Sequence, residues 1–116
     1  MTSTINKGGI IMVITNSFSL QMLSGSVNKI TTVAVPVRNI QELVKYGVES
    51  YIGHADTANV ISNILGIDIP MNRGFFKFTG SKETIIVAQL TGGRLPEGAT
   101  TIPEGMEIKW FLVTVE

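Results

Sequence analysis

A change of period at Gly53 sets the tightest limit on what this chain can fold into. Residues 48–52, Val-Glu-Ser-Tyr-Ile, alternate as a strand does. Beyond Gly53, the stretch Gly-His-Ala-Asp-Thr-Ala-Asn-Val-Ile-Ser-Asn-Ile-Leu-Gly puts Ala58, Ile61 and Leu65 on one helical stripe, and Gly66 ends it. A strand that hands over to an amphipathic helix within one residue points to a domain in which helices pack on a sheet.

The rest of the chain repeats that alternation of element types. Ile10–Thr15 is apolar and β-branched and reads as a buried strand. Asn16 or Ser17 is suited to cap a short helix, Phe-Ser-Leu-Gln-Met-Leu, which stops at Ser24-Gly25. A second strand is expected over 28–36, closed by Pro36, and a short helix over 39–46 with Ile40, Leu43 and Val44 on one face. Phe75–Phe78, Glu83–Leu90 and Ile108–Val115 read as three further strands, with turns at 70–74 and 79–82. Residues 91–105 hold four glycines and two prolines in 15 positions, so they form a loop. A loop of that length in a small domain is functional or mobile. The expected fold is a single α/β (α+β) domain, a mixed β-sheet with short helices packed on it.

The chain has 116 residues, 44% hydrophobic and 16% charged, which suits one globular domain with a real core. Nine basic residues balance nine acidic ones, so an indiscriminate binder of long nucleic acid is excluded. No apolar run reaches the roughly 18–20 residues of a membrane span. Net charge near zero and a mean hydropathy of +0.32 favour self-association. There is no cysteine and a single histidine, so thiol chemistry and histidine-rich metal sites are excluded within one protomer, and no cofactor is expected. Without a basic region followed by an apolar core at the N-terminus, the expected compartment is the cytoplasm.

Met1–Ile11 is unlike the rest. Residues 1–11 are expected to be a disordered tail or a start-site extension, with 12–116 as the domain. Lys7-Gly8-Gly9 is what a purine-rich ribosome-binding sequence would encode, which makes Met12 the expected native start and the source prokaryotic or viral.

Four constellations carry polar chemistry. Gly53-His54-Ala55-Asp56-Thr57 sits where a strand ends and a helix begins; free N–H groups and the helix dipole suit an anionic oxygen there. Thr57 adds a hydroxyl, and histidine is the side chain best suited to give a proton near neutral pH. Thr15-Asn16-Ser17-Phe18-Ser19 lies at a second strand-to-helix junction. Asn72-Arg73 precedes a strand, and arginine is the best planar partner for phosphate or a base. On the long loop, Arg94 and Glu97 stand three residues apart behind Gly92-Gly93. Each also has a plain reading as a helix cap, a solvated side chain or a surface ion pair. The aspartates, Asp56 and Asp68, form no cluster for Mg²⁺. Any phosphoryl chemistry would be metal-independent. RNA allows that, because the ribose 2′-OH is its own nucleophile.

The segments Thr15-Asn16-Ser17-Phe18-Ser19, Ile52-Gly53-His54-Ala55-Asp56-Thr57, Asn72-Arg73, and Gln89-Leu90 followed by Arg94-Leu95-Pro96-Glu97-Gly98 occur in this order and at these distances. Together they resemble the viral ring nucleases, small dimeric type III anti-CRISPR proteins, over nearly the whole chain from Met12. The resemblance implies a homodimer that binds cyclic tetra-adenylate across its interface. It implies metal-free cleavage to linear di-adenylates with 2′,3′-cyclic phosphate ends, which silences type III CRISPR signalling. It implies His54 as general acid, Arg94 and Glu97 as the loop pair supporting catalysis, and Asn16, Ser19, Thr57, Arg73 and Gln89 as ligand contacts. Asp56 departs from the small hydroxyl residue common at that position and is left out of the site. A module that sequesters the cyclic oligonucleotide without cutting it, and a structural dimer without a nucleotide ligand, are the alternatives.

Overall fold

In the computed structural model, which describes residues 5–6, 9–10, 12–25, 28–79 and 82–116, the chain runs β1 (Ile5–Asn6), β2 (Gly9–Ile10), β3 (Met12–Thr15), a 3-10 turn (Leu20–Met22), β4 (Ile30–Ala34), α1 (Val37–Val44), β5 (Val48–Tyr51), α2 (Ala55–Leu65), β6 (Glu83–Thr91) and β7 (Glu107–Val115). Five strands form one mixed sheet in the order β4-β7-β6-β3-β5. β3 is parallel to β5 and to β6, and β7 is antiparallel to β6 and β4. This is the expected α+β domain. β1 and β2 pair with each other as a separate two-stranded sheet. Residues 1–4, 7–8 and 11 of the expected extension lie outside the described residues.

The period-2 alternation divides the core in two. On one face Met12, Ile14, Ile86, Ala88 and Trp110 pack under the helical stripes, Ile40 and Val44 from α1 and Ala58, Ile61 and Leu65 from α2. On the other face Val13, Ile85, Val87, Val113 and Val115 meet no α-helix. Met22, Phe78 and the partly buried Phe18, Leu23 and Phe76 cover them instead. Helix α2 ends at Gly66, whose φ of +74° closes the helix in the left-handed conformation that glycine adopts without strain.

Three expectations are corrected. The short helix after β3 is one 3-10 turn, and its cap is Ser19, whose Oγ accepts the Gln21 N–H at 3.1 Å. Asn16 and Ser17 precede the cap, and the Thr15 hydroxyl meets the Ser17 backbone at both its N–H (3.4 Å) and its carbonyl (3.2 Å). Helix α1 begins two residues earlier than the spacing predicts, directly behind Pro36, whose fixed φ and missing N–H cost nothing at a helix start. Finally, Phe75–Phe78 is no strand. Its alternation is real, with Phe75 exposed and Phe78 buried, but no ladder forms. The Phe78 N–H donates to the Met22 carbonyl at 2.8 Å, and the rings seal the helix-free face edge-on: Phe76 to Phe78 at 5.0 Å and Tyr51 to Phe76 at 5.5 Å. Residues 80–81 of the turn expected at 79–82 lie outside the described residues.

Candidate functional site

β3, β5 and β6 run parallel, so their carboxyl ends face one way. The chain leaving β3 crosses to the helix-free face, where Phe18 and Met22 pack; the chain leaving β5 enters α2 on the opposite face. Neighbouring parallel strands whose connections depart to opposite faces leave a crevice at their carboxyl ends, the usual ligand position of an open α/β sheet. Here that crevice has Thr15-Asn16 on one side and Gly53-His54 on the other. Val87 of β6 lies level with Thr15, and β6 continues four residues further to Thr91. The β6–β7 ribbon therefore rises about 13 Å past the end of β3 and forms a wall beside the crevice.

His54 is the N-cap residue of α2. Its carbonyl accepts the Ala58 N–H at 3.0 Å, but its side chain makes no capping bond and is exposed. The imidazole is thus left free at the positive end of the helix dipole. Thr57, in the first turn, is buried, with 7% of its surface exposed. Thr15 is buried too, and its hydroxyl bonds the Tyr51 carbonyl at 3.4 Å, tying the ends of β3 and β5 together. The Tyr51 phenol sits above its usual pKa, chiefly because burial disfavours the phenolate and then because the Glu49 carboxylate, which accepts its hydroxyl at 3.3 Å, is near.

Arg73 is brought to this point by the chain after α2. Ile69 belongs to the helix-side core and Phe78 to the opposite one, so residues 70–78 pass around the sheet at the β5 edge. Asn72 fixes the passage, donating its N–H to the Ile52 carbonyl and its Nδ2 to the Ser50 carbonyl, both at 2.8 Å. A Cβ on Gly53 would lie 3.9 Å from the Arg73 Cγ, an ordinary van der Waals distance, so the arginine stem runs in contact range of the start of the helix.

Gln89 is exposed on the wall, on the helix-free face of β6. Asn16 and Ser19 are half-buried on the segment leaving β3. Lys109, directly opposite Gln89 on β7, is exposed and was not among the expected residues. Nothing local in the sequence marks it, since only strand register puts it there.

Arg94 and Glu97 are exposed on the loop between β6 and β7, and no ion pair joins them. Loop and helix meet at Asn63, whose Nδ2 donates to the Thr100 carbonyl at 2.6 Å. That anchor is about 13 Å along the α2 axis from His54. The structure thus brings Arg73 against the Gly53–His54 start of α2, with Thr57 in the first turn and Asn16 at the neighbouring end of β3; it keeps Gln89 on the helix-free face of β6 and holds Arg94 and Glu97 on a separate loop that springs from the same end of the sheet.

Among the described residues no group of three or more His, Asp or Glu side chains is placed to hold a metal, and no helix is long and apolar enough to cross a membrane.

A family model described as STIV B116-like matches residues 12–112. The chain belongs to the STIV B116-like family. The match begins at Met12 and takes in the crevice, the wall and the long loop. Among solved structures, B116 of Sulfolobus turreted icosahedral virus (STIV) is similar with a TM-score of 0.66 at 24% identity, over 89% of this chain and 97% of that one. At that identity the likeness establishes a shared fold, with a protein of viral origin. No curated protein matches the sequence.

Proposed function

We propose that the protein is a metal-independent ring nuclease: a homodimer that binds cyclic tetra-adenylate and cuts it to linear di-adenylates with 2′,3′-cyclic phosphate ends, suppressing type III CRISPR signalling in the host cell. The observation that carries this reading is the meeting of an uncapped His54, the free N–H groups of the α2 start and the Arg73 side chain at one crevice. Helix N–H groups and arginine both favour a phosphate. The motifs read from the sequence and membership of a family named for a viral protein support the same reading.

The chemistry needs little else. A ring held with a 2′-OH in line with phosphorus forms the 2′-O–P bond as the P–O5′ bond breaks. The His54 imidazolium gives its proton to the departing 5′ oxygen, and the 2′ proton passes to water. Arg73 and the α2 N–H groups take the charge that builds on the phosphate oxygens. Asn16, Ser19, Thr57 and Gln89 orient the ring, and the loop carrying Arg94 and Glu97 closes over it.

The test is single-turnover incubation with labelled cyclic tetra-adenylate in EDTA, beside His54→Ala. Cleavage by the parent and a loss of about 10²-fold or more in the variant is the expected result, the usual scale for a general acid. A second reading, sequestration without cleavage, is favoured by one observation: Arg94 and Glu97 make no ion pair with each other and sit on a loop anchored at Asn63, well along the helix from His54. Tight binding with no cleavage would select it.

A further inference from the structure

The loop between β6 and β7 stands apart from the packed domain. Among the described residues, no side chain of 92–106 belongs to either core. Its two feet touch: a Cβ on Gly92 would meet the Gly105 carbonyl oxygen at 2.5 Å. Between the feet the chain is stiffened by two turns. The Ala99 N–H donates to the Pro96 carbonyl and the Met106 N–H to the Pro103 carbonyl, both at 3.1 Å. A stiffened loop on glycine feet moves as one body about those feet. Among the described residues, one hydrogen bond ties this body to the rest of the molecule. It runs from the Asn63 Nδ2 to the Thr100 carbonyl, at 2.6 Å.

The place of that tie matters. The feet spring from the end of the sheet where β3 and β5 finish. Asn63 lies in the third turn of α2, whose stripe packs back over the sheet. The bond therefore draws the middle of the loop over the helical layer and away from the carboxyl ends of β3 and β5. Helix formation does not explain the residue, because asparagine is a poorer helix former than alanine at an exposed position. We propose that Asn63 is a latch: its amide holds the loop back on α2 in the free protein, and breaking the bond lets the loop turn about its feet toward the carboxyl ends of the strands. One such bond shifts a two-position equilibrium by about fivefold. That is enough to bias a loop and little enough for a ligand to overcome. The latch itself needs no ligand; only what the released loop covers rests on the ring-nuclease reading.

The experiment reads the loop position by pulsed electron paramagnetic resonance. The chain has no cysteine. Ser17→Cys, just past the end of β3, and Thr101→Cys, on the loop, therefore place one spin-label pair per chain, and both positions are exposed. Labelled chains are diluted into unlabelled ones, so that only distances within a chain are read. Asn63→Ala and Asn63→Asp are compared with the parent in this background; Asn63 is exposed, and both variants are expected to fold. Alanine favours the helix, whereas an acid near its C-terminus does not, so an effect that both share comes from the lost amide donor. In the free protein both variants should raise the population with the shorter Ser17–Thr101 distance about fivefold. An unchanged distribution in both overturns the latch, whether or not the chain cuts any nucleotide. A shift in Asn63→Asp alone marks a weakened helix end and overturns it equally. Cyclic tetra-adenylate is then added. If the latch opposes closure over this probe, both variants bind it up to about fivefold more tightly than the parent. Equal affinity in all three, with cleavage by the parent, overturns the latch as a brake on the site and leaves the ring-nuclease reading standing. If the parent ignores the probe while the free variants show the shorter distance, the latch stands and the ring-nuclease reading falls.

Discussion

Asn72 closes on Ile52: its backbone N–H donates to the Ile52 carbonyl at 2.8 Å, one residue before Gly53. The Asn72 side chain does more, with Nδ2 on the Ser50 carbonyl and Oδ1 accepting the Gly74 N–H, each at 2.8 Å. Two bonds thus bind the segment carrying Arg73 to the end of β5, and the third fixes the turn around Arg73 within the segment.

Asn72→Ala removes two of those bonds and leaves the carbonyl of the buried Ser50 without the Asn72 donor. A loss of about 1–3 kcal/mol is expected, read as a lower midpoint in thermal or urea unfolding. The variant should also bind cyclic tetra-adenylate more weakly, because Arg73 is no longer held beside Gly53. An unchanged midpoint would show that the clamp contributes nothing.

His54 occupies a helix cap without capping it, which makes two properties separable. His54→Ser supplies a hydroxyl for the free N–H groups of the first turn and should raise stability by about 0.5–1 kcal/mol. The same change should abolish the proposed cleavage. A variant that melts higher and cuts nothing would mark His54 as a residue kept at some cost to stability. One that retains cleavage would remove it as the acid.

The long loop depends on Gly92. Its φ is +96°, and a Cβ there would meet the Gly105 carbonyl oxygen at 2.5 Å and the Met106 Cα at 3.0 Å. Gly92→Ala combines left-handed strain with a backbone collision and should cost about 2 kcal/mol or more. Gly98, at φ +79° with nothing within 4 Å, is the control: Gly98→Ala should cost about 1 kcal/mol, the strain alone. Differential scanning calorimetry of the pair measures the difference.

β1 and β2 pair with each other and with no strand of the five-stranded sheet. A chain beginning at Met12 should therefore melt within a few degrees of the full-length one and bind cyclic tetra-adenylate equally well. A fall of 10 °C or more would show that residues 1–11 belong to the folded domain.

Much of the fold is legible from local pattern. The passage from β5 through Gly53 to α2 and its stop at Gly66, the stripe Ala58, Ile61 and Leu65, and the strands β6 and β7 all follow from periodicity and glycine placement. These are properties of neighbouring residues, and neighbouring residues suffice to specify them. His54, at the junction of the two periods, is legible for the same reason. Phe75–Phe78 shows where that method stops: alternation marks which side chains are buried, but a ladder also needs a strand edge to pair with, and here Asn72 has already engaged the end of β5.

By itself, the sequence determined the types of most elements, the two apolar faces of the sheet and the histidine at the start of α2, because each depends on contacts within a few residues. Only the tertiary structure decided that β3 lies between β5 and β6, that the chain rounds the sheet edge to lay Arg73 against Gly53, and that Lys109 stands opposite Gln89. Those relations join residues 20 or more positions apart, and they follow from strand order and register, which the packing of the whole core selects.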